Sequence, residues 1–247
     1  MNEEQLADRI VEWLRQQVKK AGAKGVVFGL SGGVDSSVTA VLCKKAFPTS
    51  CLALAMPCNS DESDLRHAGM VAGQFRIPLK LIDLSKPFEC ILQCFGENSA
   101  KESRKEIANI KPRLRMACLY FFANKLNYLV VGAGNKSELR LGYFTKFGDG
   151  AADLLPIGTL YKGEVKKLAL HLGIAKEVVG KEPSAGLWKG QTDQSELGFS
   201  YKELDKMIEA IESGKAKGIA KKRIALVRKM IAGSEHKRRM PPVCKTG

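Results

Sequence analysis

GVVFGLSGGVDSS, residues 25–37, decides how this chain folds. Its opening GVVFGL (25–30) is an apolar run bounded by glycines, long enough for a buried strand and too short for a core helix. Ser31-Gly32-Gly33 breaks the run, and the residues from Val34 to Phe47 read as a helix. In an open α/β sheet such a turn sits at the carboxyl end of a strand, where ligands bind. Gly32 and Gly33 let the backbone bend sharply and approach an anion with no Cβ in the way. The hydroxyls of Ser31, Ser36 and Ser37, with the free amides of a helix N-terminus, would then face a phosphate group. The plainer alternative is a glycine-rich turn with Ser or Asp as a helix cap.

The same alternation runs outward in both directions. Residues 2–21 place Leu6, Ile10, Trp13, Leu14 and Val18 at helical spacing. CLALAM (51–56) reads as a strand stopped by Pro57, followed by a helix over 61–75. LKLIDL (79–84) and YLVVGA (128–133) read as two more strands, with helices over 86–95 and 113–124 between them. Continuous apolar strands alternating with helices predict an α/β fold, a doubly wound parallel sheet with helices on both faces. Helices over about 161–172 and 200–213 and a basic tail follow. Lacking an internal repeat or a Pro/Gly-rich linker, residues 1–247 are expected to form one domain, with a core over about 22–175 and a helical, basic part over about 176–247.

Composition narrows the class. With 45% hydrophobic and 27% charged residues the chain is ordinary for a globular protein rather than a disordered one. No apolar run approaches the ~20 residues that span a bilayer, and MNEEQLADRI has neither the basic start nor the apolar stretch of a signal peptide. The seven cysteines form no C-x-x-C pair and mostly sit in apolar surroundings, which fits a reducing compartment, so a cytoplasmic location is expected. The net charge is +14, and from Gly214 onward eleven Lys/Arg face a single acid, Glu235. Such a tail suits nucleic acid or a small polyanion, and charge alone does not choose between them.

The anion loop can be typed. It lacks the Gly-Lys-Ser/Thr ending of a Walker A loop and is not G-x-G-x-x-G; Gly132-Ala-Gly134-Asn-Lys-Ser137 approaches that dinucleotide fingerprint but has serine at its last position. SGGVDS instead resembles the PP-loop of the ATP pyrophosphatase superfamily, which grips the diphosphate released when ATP gives AMP. Downstream, GAGNKSELRLGYFTKFGDGAADLLPIGTLYKGEV is dense in Lys, Asp, Glu, Gly and aromatics, the composition of a substrate-binding loop.

Taken in order, SGGVDSS, the N-x-x-x-R-x-R-M run at Asn109–Met116, GNKSEL, GYFTK, GDG, LYKGEV, PSAGLW, GQTD and the terminal HKR resemble the ammonia-dependent NAD synthetase family over about residues 25–240. The resemblance implies a ligase that makes NAD⁺ from deamido-NAD⁺, ATP and ammonia, the last step of NAD biosynthesis, through an acyl-adenylate and with Mg²⁺ as cofactor. It implies ATP contacts at Gly29, Leu30, Ser31, Gly32, Gly33, Val34, Asp35, Ser36, Lys162 and Ser184, with Ser31, Asp35, Ser36 and Lys162 taking part in catalysis. Asp35 and Glu138 would hold the metal. Arg113, Lys146, Asp153, His236 and Lys237 would contact deamido-NAD⁺. It further implies a homodimer, with no nucleic-acid or membrane partner. Threonine is common in the family where this chain has Ala133, so a hydroxyl contact is missing there. Because the sequence begins one helix before the loop, free ammonia is the expected nitrogen source. The alternative is another PP-loop enzyme, a ligase or thiolase acting on tRNA.

Overall fold

The computed structural model of the chain describes residues 1–101, 103–216 and 218–246. In chain order the elements are α1 (Glu3–Lys20), β1 (Gly25–Gly29), α2 (Val34–Ala46), β2 (Cys51–Ala55), α3 (Glu62–Gln74), β3 (Leu79–Leu81), α4 (Ser85–Cys94), α5 (Lys105–Ala108), α6 (Ile110–Leu126), β4 (Tyr128–Val131), α7 (Lys136–Leu141), α8 (Lys162–His171), α9 (Lys176–Gly180), α10 (Asp193–Leu197), α11 (Tyr201–Ser213) and α12 (Lys221–Gly233). The strands form one parallel sheet in the order β3-β2-β1-β4. β1 pairs with β2 through Val26 opposite Cys51 and with β4 through Gly25 opposite Tyr128. The expected α/β architecture is therefore present, and the four expected strands are found, each ending up to three residues early where the chain turns into the loops above the sheet.

Alternate side chains divide between two layers, as the period of two in a strand requires. Val26, Phe28, Cys51, Ala53 and Val131 join a core with α1, α2, α3, α8 and α9, while Val27, Leu54 and Val130 join one with α4 and α6. Helix α2 is buried on nearly every side, from Val34 through Cys43, because it lies between the sheet and the helices α1 and α8. Each fully buried Val or Leu there contributes about 1.5–3 kcal/mol, which makes α2 a rigid post for whatever its N-terminus holds. Close approach of strands is bought at Gly25, where a Cβ would stand 2.0 Å from the Ser50 carbonyl oxygen.

A third core, Leu141, Leu197, Phe199, Leu204, Met207, Ile208, Ile224 and Val227, joins α7, α10, α11 and α12. Three of these helices, α7, α10 and the longer α12, lie where the sequence reading places no individual helix. The six residues of α7 sit inside the stretch read as a substrate loop, and α12 forms in the stretch read as a basic tail, its Ile224 and Val227 buried beneath exposed lysines and arginines.

Candidate functional site

The sheet order reverses between β1 and β4, and a ligand crevice opens above the carboxyl ends of strands at such a point. Here the crevice is a cavity of about 510 Å³. Its walls include Gly29–Ser31 and Gly33–Ser36, the Val130–Gly134 end of β4, the start of α8 and the 181–188 loop.

The Ser31–Ser36 turn is built to present donors. Gly32 has φ +80°, and a Cβ on it would stand 2.3 Å from the carbonyl oxygen of Asp64, so the turn passes against α3 only without a side chain. The Oγ atoms of Ser31 and Ser36 lie 3.0 Å apart, and Ser36 Oγ accepts from the Ser31 amide at 3.2 Å. Ser36 and Ser37 both donate to the Gly33 carbonyl, at 3.0 and 2.8 Å. Gly33 caps α2 with no side-chain hydrogen bond, which leaves the first amides of that helix for an anion.

Opposite the turn stands a charged cluster. Lys162 opens α8 with its side chain almost wholly buried, and its Nζ donates to Asp35 Oδ2 and, at 3.2 Å, to Glu138 Oε1. Asn135, fully buried, caps α7: its Oδ1 accepts from the Glu138 amide at 3.0 Å and its own amide donates to Glu138 Oε2 at 3.2 Å. The same side chain turns its Nδ2 to Asp35 Oδ1 at 3.0 Å, so one residue fixes both carboxylates. The Tyr201 hydroxyl lies 2.8 Å from Asp193 Oδ2 and 3.4 Å from Glu138 Oε1. Burial pushes the Glu138 carboxyl up to about 7, with Lys162 pulling down and Asp35 pushing up. Burial works against the charge of Lys162 as well, but Asp35 and Glu138 outweigh it and hold the ammonium above its ordinary range.

The oxygens of Asp35 and Glu138 thus converge on one cation, here the lysine ammonium, and hard carboxylate oxygens are the donors Mg²⁺ takes. Asp193 Oδ1, buried beside them, has no hydrogen-bond partner among the described residues. Among the described residues no three His, Cys, Asp or Glu side chains close on one point as a metal cage. The residues fit a metal that draws its remaining ligands from phosphate and water, as Mg²⁺ does.

Of the residues singled out in the sequence, the cavity wall brings together Gly29, Leu30, Ser31, Gly33, Val34, Asp35, Ser36, Glu138, Lys162, Ser184 and Lys237. Lys237 lies there with its Nζ donating to the Gly142 and Phe144 carbonyls, both at 2.8 Å. Gly32, Arg113, Lys146, Asp153 and His236 are not in that wall. Arg113 is exposed on α6 and donates to the Lys146 carbonyl at 3.4 Å, and Asp153, also exposed, accepts from Tyr120 and from the Val130 amide. His236 is exposed in the turn after α12.

The sequence assigns no site role to Asn135, Asp193 and Arg115, which lie within the quoted motifs, or to Tyr201, which does not. Asn135 had a signal, the Asn-x-x-Glu capping box of Asn135 and Glu138. An arginine near the start of a helix reads, on sequence alone, as part of a solvated face. Arg115 instead lines the cavity, donating to the Met56 carbonyl at 3.1 Å and to Ser60 Oγ at 3.3 Å.

The comparisons with known proteins bear on this geometry. A family model described as NAD synthase matches residues 6–241. A curated NH₃-dependent NAD⁺ synthetase of Carboxydothermus hydrogenoformans is 44% identical over 98% of both chains. Two solved structures share the fold over nearly all residues. An NMN synthetase from Francisella tularensis superposes with a TM-score of 0.88 at 33% identity, covering 99% of each chain. An NH₃-dependent NAD synthetase from Campylobacter jejuni superposes with a TM-score of 0.84 at 29% identity, covering 99% of this chain and 100% of that one.

Proposed function

The chain belongs to the NAD synthase family, and from that premise we propose that it joins ammonia to the carboxylate of deamido-NAD⁺, converting ATP to AMP and diphosphate and releasing NAD⁺. The observation that carries the reading is the meeting, in one cavity, of the Ser31–Ser36 turn, Lys162 and the Asp35–Glu138 pair.

The chemistry explains why those groups are needed. A carboxylate does not lose oxygen to ammonia, because oxide is too poor a leaving group. Attack of the carboxylate on the α-phosphorus of ATP forms an acyl-adenylate and expels diphosphate; ammonia then attacks the acyl carbon, loses a proton and expels AMP. Negative charge builds on the departing diphosphate, and fixed donors aimed at developing charge are the strongest means of lowering such a barrier. In this reading the amides opening α2, the hydroxyls of Ser31 and Ser36, once turned from their present partners, and the ammonium of Lys162 would supply them. Asp35 and Glu138 would hold Mg²⁺, which when bound neutralises phosphate charge as a Lewis acid. Ser184 would complete the ATP contacts from the far wall, and Lys237 would meet the dinucleotide.

Arg113, Lys146, Asp153 and His236, outside the cavity, are assigned to deamido-NAD⁺ through a homodimer. The exposed stripe of α6 carries Arg113, Ala117 and Phe121 at four-residue spacing, so a second copy packed there would lie beside Arg113. Free ammonia is the nitrogen source in this reading, since the curated relative carrying that description matches over 98% of its own length. The enzyme works in the cytoplasm as a single domain; among the described residues no helix is long and apolar enough to cross a membrane.

Protein mixed with MgATP, deamido-NAD⁺ and ammonium should yield NAD⁺, AMP and diphosphate in equal amounts. ADP as product would sink the proposal. A second reading has a specific basis, the 0.88 TM-score to an NMN synthetase. Nicotinate mononucleotide should therefore be offered in parallel, and a higher kcat/KM for it would change the substrate while leaving the chemistry intact.

A further inference from the structure

Helix α8 begins with the residue that matters most in the cluster, Lys162, and its first two amides are satisfied from outside the helix. The Lys162 amide donates to Ser137 Oγ at 3.2 Å, and the Gly163 amide donates to Asp205 Oδ2 at 3.3 Å. Ser137 in turn donates its hydroxyl proton to Asp205 Oδ1 at 2.5 Å. Three helices are tied at one point: α7 through Ser137, α8 through its opening backbone and α11 through Asp205. Ser137 is fully buried, and neither it nor Asp205 lines the cavity, so neither can touch a substrate bound there.

The knot governs the reacting groups through covalent neighbours. Ser137 precedes Glu138 in the chain, and the amide it holds belongs to Lys162 itself, so the Asp205 carboxylate sets how far the α7 carboxylate stands from the α8 ammonium. A helix start that needed only local capping could be served from its own first turn, and α8 has such a bond, the amide of the cap residue Tyr161 donating to Glu164 Oε2 at 2.8 Å. The clamp from α11 adds what local capping does not supply: a fixed relation between α7 and α8.

We infer that Asp205, acting through Ser137, is a positioning residue that holds Lys162 in register with Glu138 and Asp35 for diphosphate departure. The inference rests on the proposed reaction. Misplacement of a reacting group by about 1 Å costs on the order of 100-fold in rate, and loss of residues orienting a site typically costs about 10–100-fold.

The test compares Asp205→Ala, Asp205→Asn and Ser137→Ala with Glu164→Ala, which frays the same helix and leaves the clamp alone. Expected for Asp205→Ala and Ser137→Ala is a kcat lower by about 10–100-fold, with KM for ATP moving by less than about threefold and melting temperatures no lower than that of Glu164→Ala. Asp205→Asn, whose amide oxygen still accepts one of the two bonds, should fall between. A second readout needs no turnover: acylation of Lys162 by a lysine-selective reagent, followed by mass spectrometry, should rise in Asp205→Ala and stay at the wild-type level in Glu164→Ala. Wild-type kcat and labelling in Asp205→Ala would overturn the inference, as would equal losses in Glu164→Ala. If the wild-type protein makes no NAD⁺, the proposed reaction falls, and the labelling comparison still decides whether Asp205 positions Lys162.

Discussion

Lys162 holds its ammonium against the carboxylate of Asp35, the acid of the glycine-rich turn, across a separation of 127 residues. The pair joins the first βα unit to the helix that follows the long loop, and Glu138 completes it from α7 at 3.2 Å. Replacing Lys162 by Met keeps the volume and removes the charge. We expect kcat to fall by about 10²–10³-fold, as for loss of one preorganised donor at a developing charge. The variant should also lose about 3 kcal/mol of stability, since Asp35 and Glu138 are left facing each other unneutralised. Steady-state kinetics and calorimetric melting check both; a variant with ordinary kcat would remove Lys162 from the reaction.

The turn itself is tested by a pair of glycines. Gly32→Ala places a Cβ 2.3 Å from a backbone oxygen and forces a side chain to φ +80°, so α3 must move or the turn must open. The left-handed conformation alone costs about 1–2 kcal/mol, which for a chain of this size lowers the melting temperature by a few degrees, and ATP affinity should fall with it. Gly33→Ala meets only Ser31 Oγ at 3.5 Å and should keep its melting temperature. Differential scanning calorimetry with and without ATP separates the two, and equal behaviour would contradict the close approach to Asp64.

Away from the cavity, Glu203 gives a pH prediction. Its hydrogen bond with Arg223 and those with the Ser200 backbone and side chain hold its carboxyl down at about 2, below its ordinary value of 4.5. A carboxyl whose folded pKa is depressed adds stability above its unfolded pKa and loses it as pH falls through the folded one, here between about 4.5 and 2. Wild type should therefore melt higher than Glu203→Gln at pH 7, and the gap should shrink steadily on acidification through that window. A gap that stays constant with pH would show that Glu203 acts without its charge.

These groups differ in how legible they were. The centre of the sheet could be read because β1 and β2 are buried on both faces, and burial leaves unbroken apolar runs such as GVVFGL and CLALAM. The glycine turn could be read because anion binding demands small residues in one short stretch. Helix α7 could not, because Asn135, Ser137 and Glu138 turn polar side chains inward toward partners on β1–α2, α8 and α11, which erases the apolar stripe a helix usually shows. In α12 the stripe of Ile224, Val227 and Ile231 is present but diluted by the lysines and arginines around it. Asp193, Tyr201 and Asp205 owe their roles to partners brought close only by the fold, so no local spacing announces them.

Arg115 illustrates the same limit two residues from Arg113, which the sequence did single out. Burial pushes its guanidinium below the usual arginine range, and its two donors brace the loop after β2 at Met56 and Ser60, in the cavity wall. Arg115→Met should loosen that wall and leave a buried carbonyl without its donor, at a cost of about 1–3 kcal/mol. We expect KM for ATP to rise about tenfold or more while kcat at saturation changes little. A kcat loss at unchanged KM would place Arg115 at the reacting atoms instead.

Phe121 tests the assembly. The residue is 60% exposed and its ring meets the Phe122 ring edge-on with centroids 5.2 Å apart, and Phe95 at 68%, just after α4, and Leu81 at 56%, on β3, add apolar surface. An exposed aromatic on one helix stripe with Arg113 fits a surface that a second copy covers, and burying it there would contribute about 1.5–3 kcal/mol per copy. Phe121→Glu places two like charges across a symmetric contact, because in a twofold interface the same patch meets itself. We expect light scattering to show a pair of chains for wild type and single chains for the variant. KM for deamido-NAD⁺ should rise more than KM for ATP, since Arg113 leaves the partner's site while the ATP turn stays within one chain. Wild-type protein that runs as a single chain at micromolar concentration and still makes NAD⁺ would refute the dimer and require Arg113 to act from its own surface.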